Sequence, residues 1–254
     1  MARNIEYIPF YALKSYSDCQ KAWEFVFVDG IKPTLDPGLL TFYVFKNTIE
    51  LCFAEKMNIR GVIDDSIILS TFEDSWSSNI ESNYVNWGDI SPAQVKNDCY
   101  SRVSLYMDRM WDVVEPLQVN VSWGIRILTT KVAGRVSMFL GRNRYLDVRY
   151  SSKSLPQSEL DNDMKGSALA AAFNNNIQYH VHTAVMKQKP DVDYKHTDKT
   201  TEDGMIWISV VEKIITQMQT GIAVPNRGSW KCDPRYCSFY DMCTEDLSKK
   251  TFNF

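Results

Sequence analysis

Cys232, Cys237 and Cys243 fall within twelve residues near the C-terminus, with four and five residues between successive sulfurs. Thiolates are soft ligands that suit zinc or an iron–sulfur cluster, and either centre wants four of them. The fourth must come from elsewhere in the chain, and Cys19, Cys52 and Cys99 are the candidates. Cys52 sits among Ile49, Leu51 and Phe53, and Cys99 lies in the middle of a helical pattern, so both read as buried free thiols. Cys19 lies in the polar stretch Ser15–Lys21, a setting that suits a ligand near the surface. Joining Cys19 to the trio would close a very long loop and tie the chain's two ends together. From the residues alone the centre is iron–sulfur or zinc, and three small buried hydrophobes are the plainer alternative for the trio.

The other bulk features set bounds. The chain has 254 residues, 44% of them hydrophobic, 23% charged and 13% aromatic. That composition argues for a sizeable core and against general disorder. A net charge of −3 argues mildly against an autonomous tight nucleic-acid binder, although a local basic patch could do that work. The longest apolar runs, such as Leu39–Phe45, fall far short of the roughly 20 residues a spanning helix needs. The opening residues lack an apolar signal core. A reducing, cytoplasmic setting with no membrane partner is therefore expected, where six cysteines do not read as three disulfides.

Periodicity and punctuation predict helices over Ser15–Val28, Pro37–Met57, Ile63–Ile80 and Pro92–Val114, the last started by Ser91-Pro92. Val119–Lys131, Val132–Leu140 and Arg144–Tyr150 are rich in β-branched and aromatic residues and read as a β-meander, with a hairpin at Gly141–Asn143. Lys165–Lys187 reads as one long helix with an alanine face. Lys189–Asp203 reads as a polar surface loop, Met205–Thr220 as another helix, Gly221–Trp230 as a connector, and Cys232–Cys243 as a compact knuckle.

Lys14-Ser15-Tyr16-Ser17-Asp18-Cys19-Gln20-Lys21-Ala22-Trp23 resembles the opening helix of RecB-like PD-(D/E)XK nucleases that carry an iron–sulfur cluster, the CRISPR-associated RecB-like exonucleases and AddB nuclease domains among them. That family's C-terminus runs through a helix, a glycine turn and a proline into a cysteine trio, matched here by Ile214–Thr220, Gly221, Pro225 and Cys232, Cys237 and Cys243. The four-residue spacing is longer than the usual two. Gly134-Arg135-Val136-Ser137 and Leu146-Asp147-Val148-Arg149 take the places of the family's two strand motifs, and Gln178 that of a helix glutamine. The resemblance runs from Cys19 to Cys243. It implies an α/β fold: a restriction-endonuclease-like core, a β-meander flanked by helices, with an N-terminal helical region and a C-terminal cysteine knuckle. One domain over residues 1–254 would then hold a helical insertion at about 30–115, the nuclease-like core at about 116–190, and a knuckle at 221–246 closing onto Cys19. It also implies a cluster of the 4Fe-4S type on the four cysteines, with zinc as the alternative.

The family cuts phosphodiesters with Mg²⁺ or Mn²⁺, which lowers the pKa of its bound water and offsets charge on the phosphate. Measured against that pattern, this chain departs at most positions. Ser137 stands where the first metal aspartate is expected and brings no charge. Asp147 keeps the second acid. Arg149 replaces the lysine, and a guanidinium cannot serve as a base. The helix histidine would fall near Asn47 or Thr48, and nothing aligns Glu50 or Glu55 with it. Asp147 and Arg149, two apart on a strand, face one side and can simply pair. The expectation is a catalytically degenerate member that binds DNA or serves in a nucleic-acid-processing complex with other subunits. An active Mg²⁺- or Mn²⁺-dependent exonuclease or endonuclease and a purely structural assembly subunit are the alternatives.

Arg126, Lys131, Arg135, Arg142, Arg144 and Lys153 crowd the meander and are the candidate phosphate contacts, with a solvated sheet face as the alternative. His180 and His182, read on a helix, would point apart and play structural or surface roles.

Overall fold

Pro37–Asn58 forms a 22-residue helix that is apolar around most of its circumference: Leu40, Val44, Phe45, Ile49, Cys52 and Phe53 are all fully buried. A helix of that kind is stable only when surrounded, so it must sit at the centre of something. In the computed structural model, which describes residues 4–58, 63–151, 153–185, 190–234 and 236–249, it does. In chain order the elements are β1 Tyr7–Pro9, α1 Phe10–Asp18, α2 Gln20–Phe27, α3 Pro37–Asn58, α4 Asp65–Ser82 and α5 Pro92–Met110. There follow β2 Gln118–Ile127, β3 Thr130–Gly141, β4 Arg144–Ser151, α6 Gln157–Asp161 and α7 Met164–Phe173. The chain continues through β5 Ile177–Val185, β6 Asp191–Lys199, α8 Thr201–Gln219 and α9 Tyr240–Lys249.

Two compact units emerge. The smaller is made of Met1–Thr34, Gly124–Gly134 and Ile208–Phe254, and the larger of Leu35–Trp123 and Arg135–Trp207.

In the larger unit α3 packs on α4, α5 and β4. The expected start of α5 holds, with Ser91 as its cap and Pro92 at its first position, whereas α4 begins at Asp65, two residues after the expected Ile63, where the Asp64 carboxylate accepts from the Ser66 N–H at 2.7 Å. β3 and β4 form the expected hairpin, its turn carried by Gly141, Arg142 and Asn143 at φ of +82°, +49° and +60°. The sheet continues with β4 parallel to β5 and β5 antiparallel to β6. Helices lie on both faces. Tyr179 of β5 lies against Gly166 of α7, while its neighbours His180 and His182 point the other way, and His182 reaches Tyr106 of α5.

Two expectations fail here. The long helix over Lys165–Lys187 is instead α7 followed by β5, with Lys187 outside the described residues. Asn174 ends α7 in the left-handed conformation at φ +48°. After it, Ile177, Val181, Thr183 and Val185 belong to a central strand with partners on both sides, where β-branched side chains pack well. The polar loop expected over Lys189–Asp203 contains β6. Asp193, Lys195 and Asp198 make it look like a loop, but it is the strand at the end of the sheet, where charged residues guard the unpaired side.

In the smaller unit, β1 pairs in parallel with Lys131–Ala133. The helix expected over Ser15–Val28 begins earlier, at Phe10, and is split in two. Cys19 stands alone between α1 and α2 in an extended conformation, φ −161° and ψ 111°. Its N–H still donates to the Ser15 carbonyl at 2.9 Å, and its carbonyl accepts from the Trp23 N–H at 3.0 Å. Phe25, Phe239 and Cys243 form a small buried cluster, with Ala22, Val26, Ile31 and Cys237 packed against it.

Candidate functional site

Asp147 lies on β4 and is 3% exposed. A bare carboxylate there would be prohibitively costly, so its surroundings must supply charge and hydrogen bonds. Its Oδ1 accepts from the Ser137 N–H at 3.1 Å, the Ser137 hydroxyl at 3.2 Å and the Lys46 ammonium at 3.2 Å. Its Oδ2 accepts from the Tyr179 hydroxyl at 2.8 Å and from the Lys165 ammonium. The donors arrive from α3, β3, α7 and β5. Lys46 is also 3.6 Å from Glu50 Oε1, one turn further along α3. Ser137 uses its hydroxyl twice, donating to Asp147 and accepting from the Val148 N–H at 3.3 Å.

Arg149 does not pair with Asp147. Its guanidinium bonds to Asp163 at 2.6 Å and to the Tyr179 hydroxyl at 3.1 Å. Asp163 in turn caps α7 by accepting from the Lys165 N–H at 2.8 Å, which places Lys165 in the first turn of α7, over the carboxylate. The cluster thus sets three carboxylates, Glu50, Asp147 and Asp163, against three cations, Lys46, Lys165 and Arg149.

Protonation follows from this. Burial pushes Asp147 upward, but Lys165, Lys46 and Arg149 outweigh it and hold the carboxyl well below the usual carboxylate range. Burial also pushes Glu50 up, and the Lys46 charge only partly offsets that. Lys46 is raised: Asp147 and Glu50 more than compensate for its own desolvation. A cleft of about 450 Å³ opens beside the cluster, lined by Glu50, Asn47, Arg135, Asp74, Ser78 and Asn79 among others.

Of the residues the sequence singles out, Ser137 and Asp147 meet. Gln178 is on β5, not on a helix, and faces Asp198 at 3.1 Å and His180 at 2.8 Å. Glu50 joins the cluster, although no spacing rule aligns it. Lys46, Lys165 and Tyr179 are missed by sequence reasoning. Only the i,i+4 pair Lys46–Glu50 leaves a local trace. Arg126, Lys131, Arg135, Arg142, Arg144 and Lys153 are all exposed. Arg126 bonds the Thr129 carbonyl, and Arg144 bonds the carbonyls of Leu140 and Gly141.

The histidines require a correction as well. On β5, His180 and His182 project to the same side, and both are buried. His182 Nδ1 lies 3.0 Å from the Tyr106 hydroxyl, and His180 Nδ1 lies 2.9 Å from the Tyr194 hydroxyl. The His180 ring stacks on that of His196, directly opposite on β6. Burial, then His196 and Arg144, lower the His180 pKa to about 4 against a smaller opposing effect of Asp198. Burial, then His180, lower that of His182 to about 4.

Cys19, Cys232, Cys237 and Cys243 all belong to the smaller unit. The residues flanking Cys19 hold the C-terminal segment directly. The Asp18 carbonyl accepts from the Asn226 amide at 3.0 Å, Gln20 Oε1 from the Val224 N–H at 3.1 Å, and Lys231 pairs with Asp18 at 2.8 Å. Lys21 pairs with Asp246 at 2.8 Å. Burial raises the Cys237 and Cys243 thiols, and charge on Cys19 and Cys232 would raise both further. Among the described residues, no group of three or more His, Cys, Asp or Glu side chains is arranged so that it could hold a metal ion. Cys52 and Cys99 are fully buried in the larger unit, and burial pushes their thiols up to about 11 and about 12.

No protein-family model matches the chain, and no curated protein matches it. Among solved structures it is similar to a candidate exonuclease from Eubacterium rectale, with a TM-score of 0.59 and 10% identity over 89% of this chain and 87% of that one. It also aligns with the protein SSO0001 over 92% of this chain and 94% of that one at 12% identity, but a TM-score of 0.38 is too low to build on. At such identities the first likeness shows the fold alone: the chain has an α/β, nuclease-like fold with a central sheet flanked by helices.

Two measurements follow from the buried groups. Asp147→Ala strands Lys46 and Lys165 and is expected to destabilise the chain by about 3–5 kcal/mol in urea denaturation; an unchanged midpoint would contradict the network. The second concerns pH. With pKa values near 4 in the folded chain and about 6.5 unfolded, His180 and His182 bind fewer protons folded than unfolded. Stability should therefore be full above pH 6.5 and fall as the pH drops towards 4, by at most about 1.4 kcal/mol per pH unit for each histidine. A His180→Gln, His182→Gln chain should show a flatter profile of urea midpoint against pH.

Proposed function

We propose that this chain is a RecB-like nuclease-fold protein whose hydrolytic centre has become a closed ion network, and that it acts by binding DNA as a subunit of a nucleic-acid-processing complex. The observation that carries this is the saturation of Asp147. Five donors, the Ser137 N–H and hydroxyl, Lys46, Lys165 and Tyr179, converge on one carboxylate. A carboxylate offers about four lone-pair sites, so none is left for a hard cation. Mg²⁺ needs oxygens at about 2.0–2.1 Å in near-octahedral array. Ser137, at the place of the partner acid, adds no charge to attract one.

The cleft beside the cluster and the exposed Arg135 on its rim support a retained nucleic-acid surface. Phosphate contacts need cations but no metal chemistry. The observation on the other side is Lys165. It brings an amine to Asp147 where Arg149 cannot act as a base, and it favours the reading as a metal-dependent nuclease. One experiment separates the two. The purified chain is expected to bind DNA with an affinity that falls steeply with salt, and to cleave no single- or double-stranded DNA with Mg²⁺ or Mn²⁺. Metal-dependent cleavage abolished by Asp147→Ala would reverse the assignment. Absence of binding even at low salt would favour a purely structural subunit.

Cys19, Cys232, Cys237 and Cys243 are the residues that would hold an iron–sulfur cluster of the 4Fe-4S type. Four soft donors suit it, and zinc is the alternative for the same set. When bound, the cluster would staple together segments more than 200 residues apart in sequence, which the hydrogen bonds of Asp18 and Gln20 already bring close. Anaerobically purified protein is expected to contain iron and acid-labile sulfide, and Cys19→Ala to lose both and to melt at a lower temperature. Zinc without sulfide would keep the staple and change the metal, whereas no metal at all would remove the cluster from the proposal.

A further inference from the structure

All three histidines of the chain lie on one face of the larger unit's sheet. His180 and His182 are two apart on β5, and His196 stands directly opposite His180 on the antiparallel strand β6. Side chains two apart on a strand share a face, and directly opposed ones start about 4.5–5.5 Å apart at Cβ. Two nitrogens on one tetrahedral zinc ion stand about 3.3 Å apart, given Zn–N bonds of about 2.0–2.1 Å. Three imidazoles on this template reach a common ion through side-chain torsions, with no change of backbone.

We infer that His180, His182 and His196 form a Zn²⁺ site with a fourth position open to water, and that the Tyr194 hydroxyl is the group the ion displaces. As the side chains stand, the three rings do not converge on one point. Tyr194 keeps them apart: its hydroxyl donates to His180 Nδ1 at 2.9 Å, and its ring stands edge-on to that of His182 at 5.1 Å. The His196 ring stacks on that of His180 at 5.4 Å. Tyr194 is 51% exposed, so its side chain swings into solvent at the loss of one hydrogen bond, and the exposed His196 ring can turn inward as it leaves.

The surroundings of the rings carry the inference. A metal-bound imidazole is oriented by a hydrogen bond to its other nitrogen, and those bonds are already made. His180 Nε2–H donates to Gln178 Oε1 at 2.8 Å, and the Gln178 amide donates to Asp198 Oδ1 at 3.1 Å, which leaves His180 Nδ1 for the ion. His182 Nδ1 lies 3.0 Å from the Tyr106 hydroxyl, and its Nε2 has no hydrogen-bond partner among the described residues. Zinc takes neutral imidazole, and burial holds His180 and His182 uncharged at neutral pH. Asp198 adds negative charge on the same face, while the Arg144 guanidinium is turned to the carbonyls of Leu140 and Gly141. Imidazole suits zinc, whereas Mg²⁺ and Mn²⁺ prefer oxygen. The site is also separate from the Asp147 network, because Tyr179 points to the other face of β5. A zinc ion here would clip the terminal strand β6 to its neighbour.

The test reads the histidines themselves, so that metal on the cysteines does not interfere. With three histidines in the chain, a long-range proton–nitrogen correlation spectrum resolves each imidazole. It would be recorded on the full chain as Zn²⁺ is added to wild type, His196→Gln and Tyr194→Phe. In wild type one nitrogen of each ring is expected to move to the position of a metal-bound nitrogen, in step with one ion per chain and with a higher melting temperature. His196→Gln should weaken this binding at least about tenfold. Tyr194→Phe lacks the competing hydroxyl and should tighten it by about twofold to tenfold. Imidazole signals unchanged in excess zinc overturn the inference. So does a shift confined to His196, the mark of an adventitious surface ligand, and so does binding that survives His196→Gln unweakened. Weaker binding by Tyr194→Phe would make the phenol a ligand and overturn its role as the displaced group. None of these results bears on DNA binding, whose failure would in turn leave the histidine site untouched.

Discussion

The carboxylate of Asp147 is where five elements of the larger unit meet. It is carried by β4 and held by α3 through Lys46, β3 through Ser137, α7 through Lys165 and β5 through Tyr179. Each contact is needed because burying a charge is costly unless it is paired and hydrogen-bonded. Arg149 extends the network outward by gripping Asp163, which caps the helix that delivers Lys165. The apolar core explains why the unit is compact. The ion network explains why the strands and helices stand in this register and no other, since a slip of one residue would turn Asp147 to the opposite face.

The smaller unit is organised around a different constraint. The chain breaks its helix at Cys19 and sets the residues on either side of that break against the segment that leads into the three C-terminal cysteines. Ordinary hydrogen bonds and ion pairs hold these segments together. A four-thiolate centre would therefore add to an arrangement the polypeptide already favours.

Sequence patterns located α3, α4, α5 and the β3–β4 hairpin because the signals were local: apolar helical periodicity, a serine cap followed by proline, a glycine turn. They missed β5 and β6 for opposite reasons. A central strand buried on both faces carries no alternation, and the alanine run before it extended the helical pattern. The terminal strand is studded with charge and reads as a loop. Moving Gln178, His180 and His182 from a helix to a strand reversed their relations, so that histidines expected to point apart share a face and lie buried beside Tyr106 and Tyr194.

What the sequence determined by itself was the chemistry available: a cysteine set with a polar outlier at Cys19, an acid at Asp147, and Ser137 and Arg149 near it in the chain. Those follow from residue identity and short spacing. Only the tertiary structure decided what surrounds Asp147. Lys46 lies 101 residues away in sequence and Tyr179 lies 32 away, and no periodicity links positions so far apart. Packing of α3 and α7 against the sheet brings their charges to one buried point, where the low dielectric makes each of them necessary.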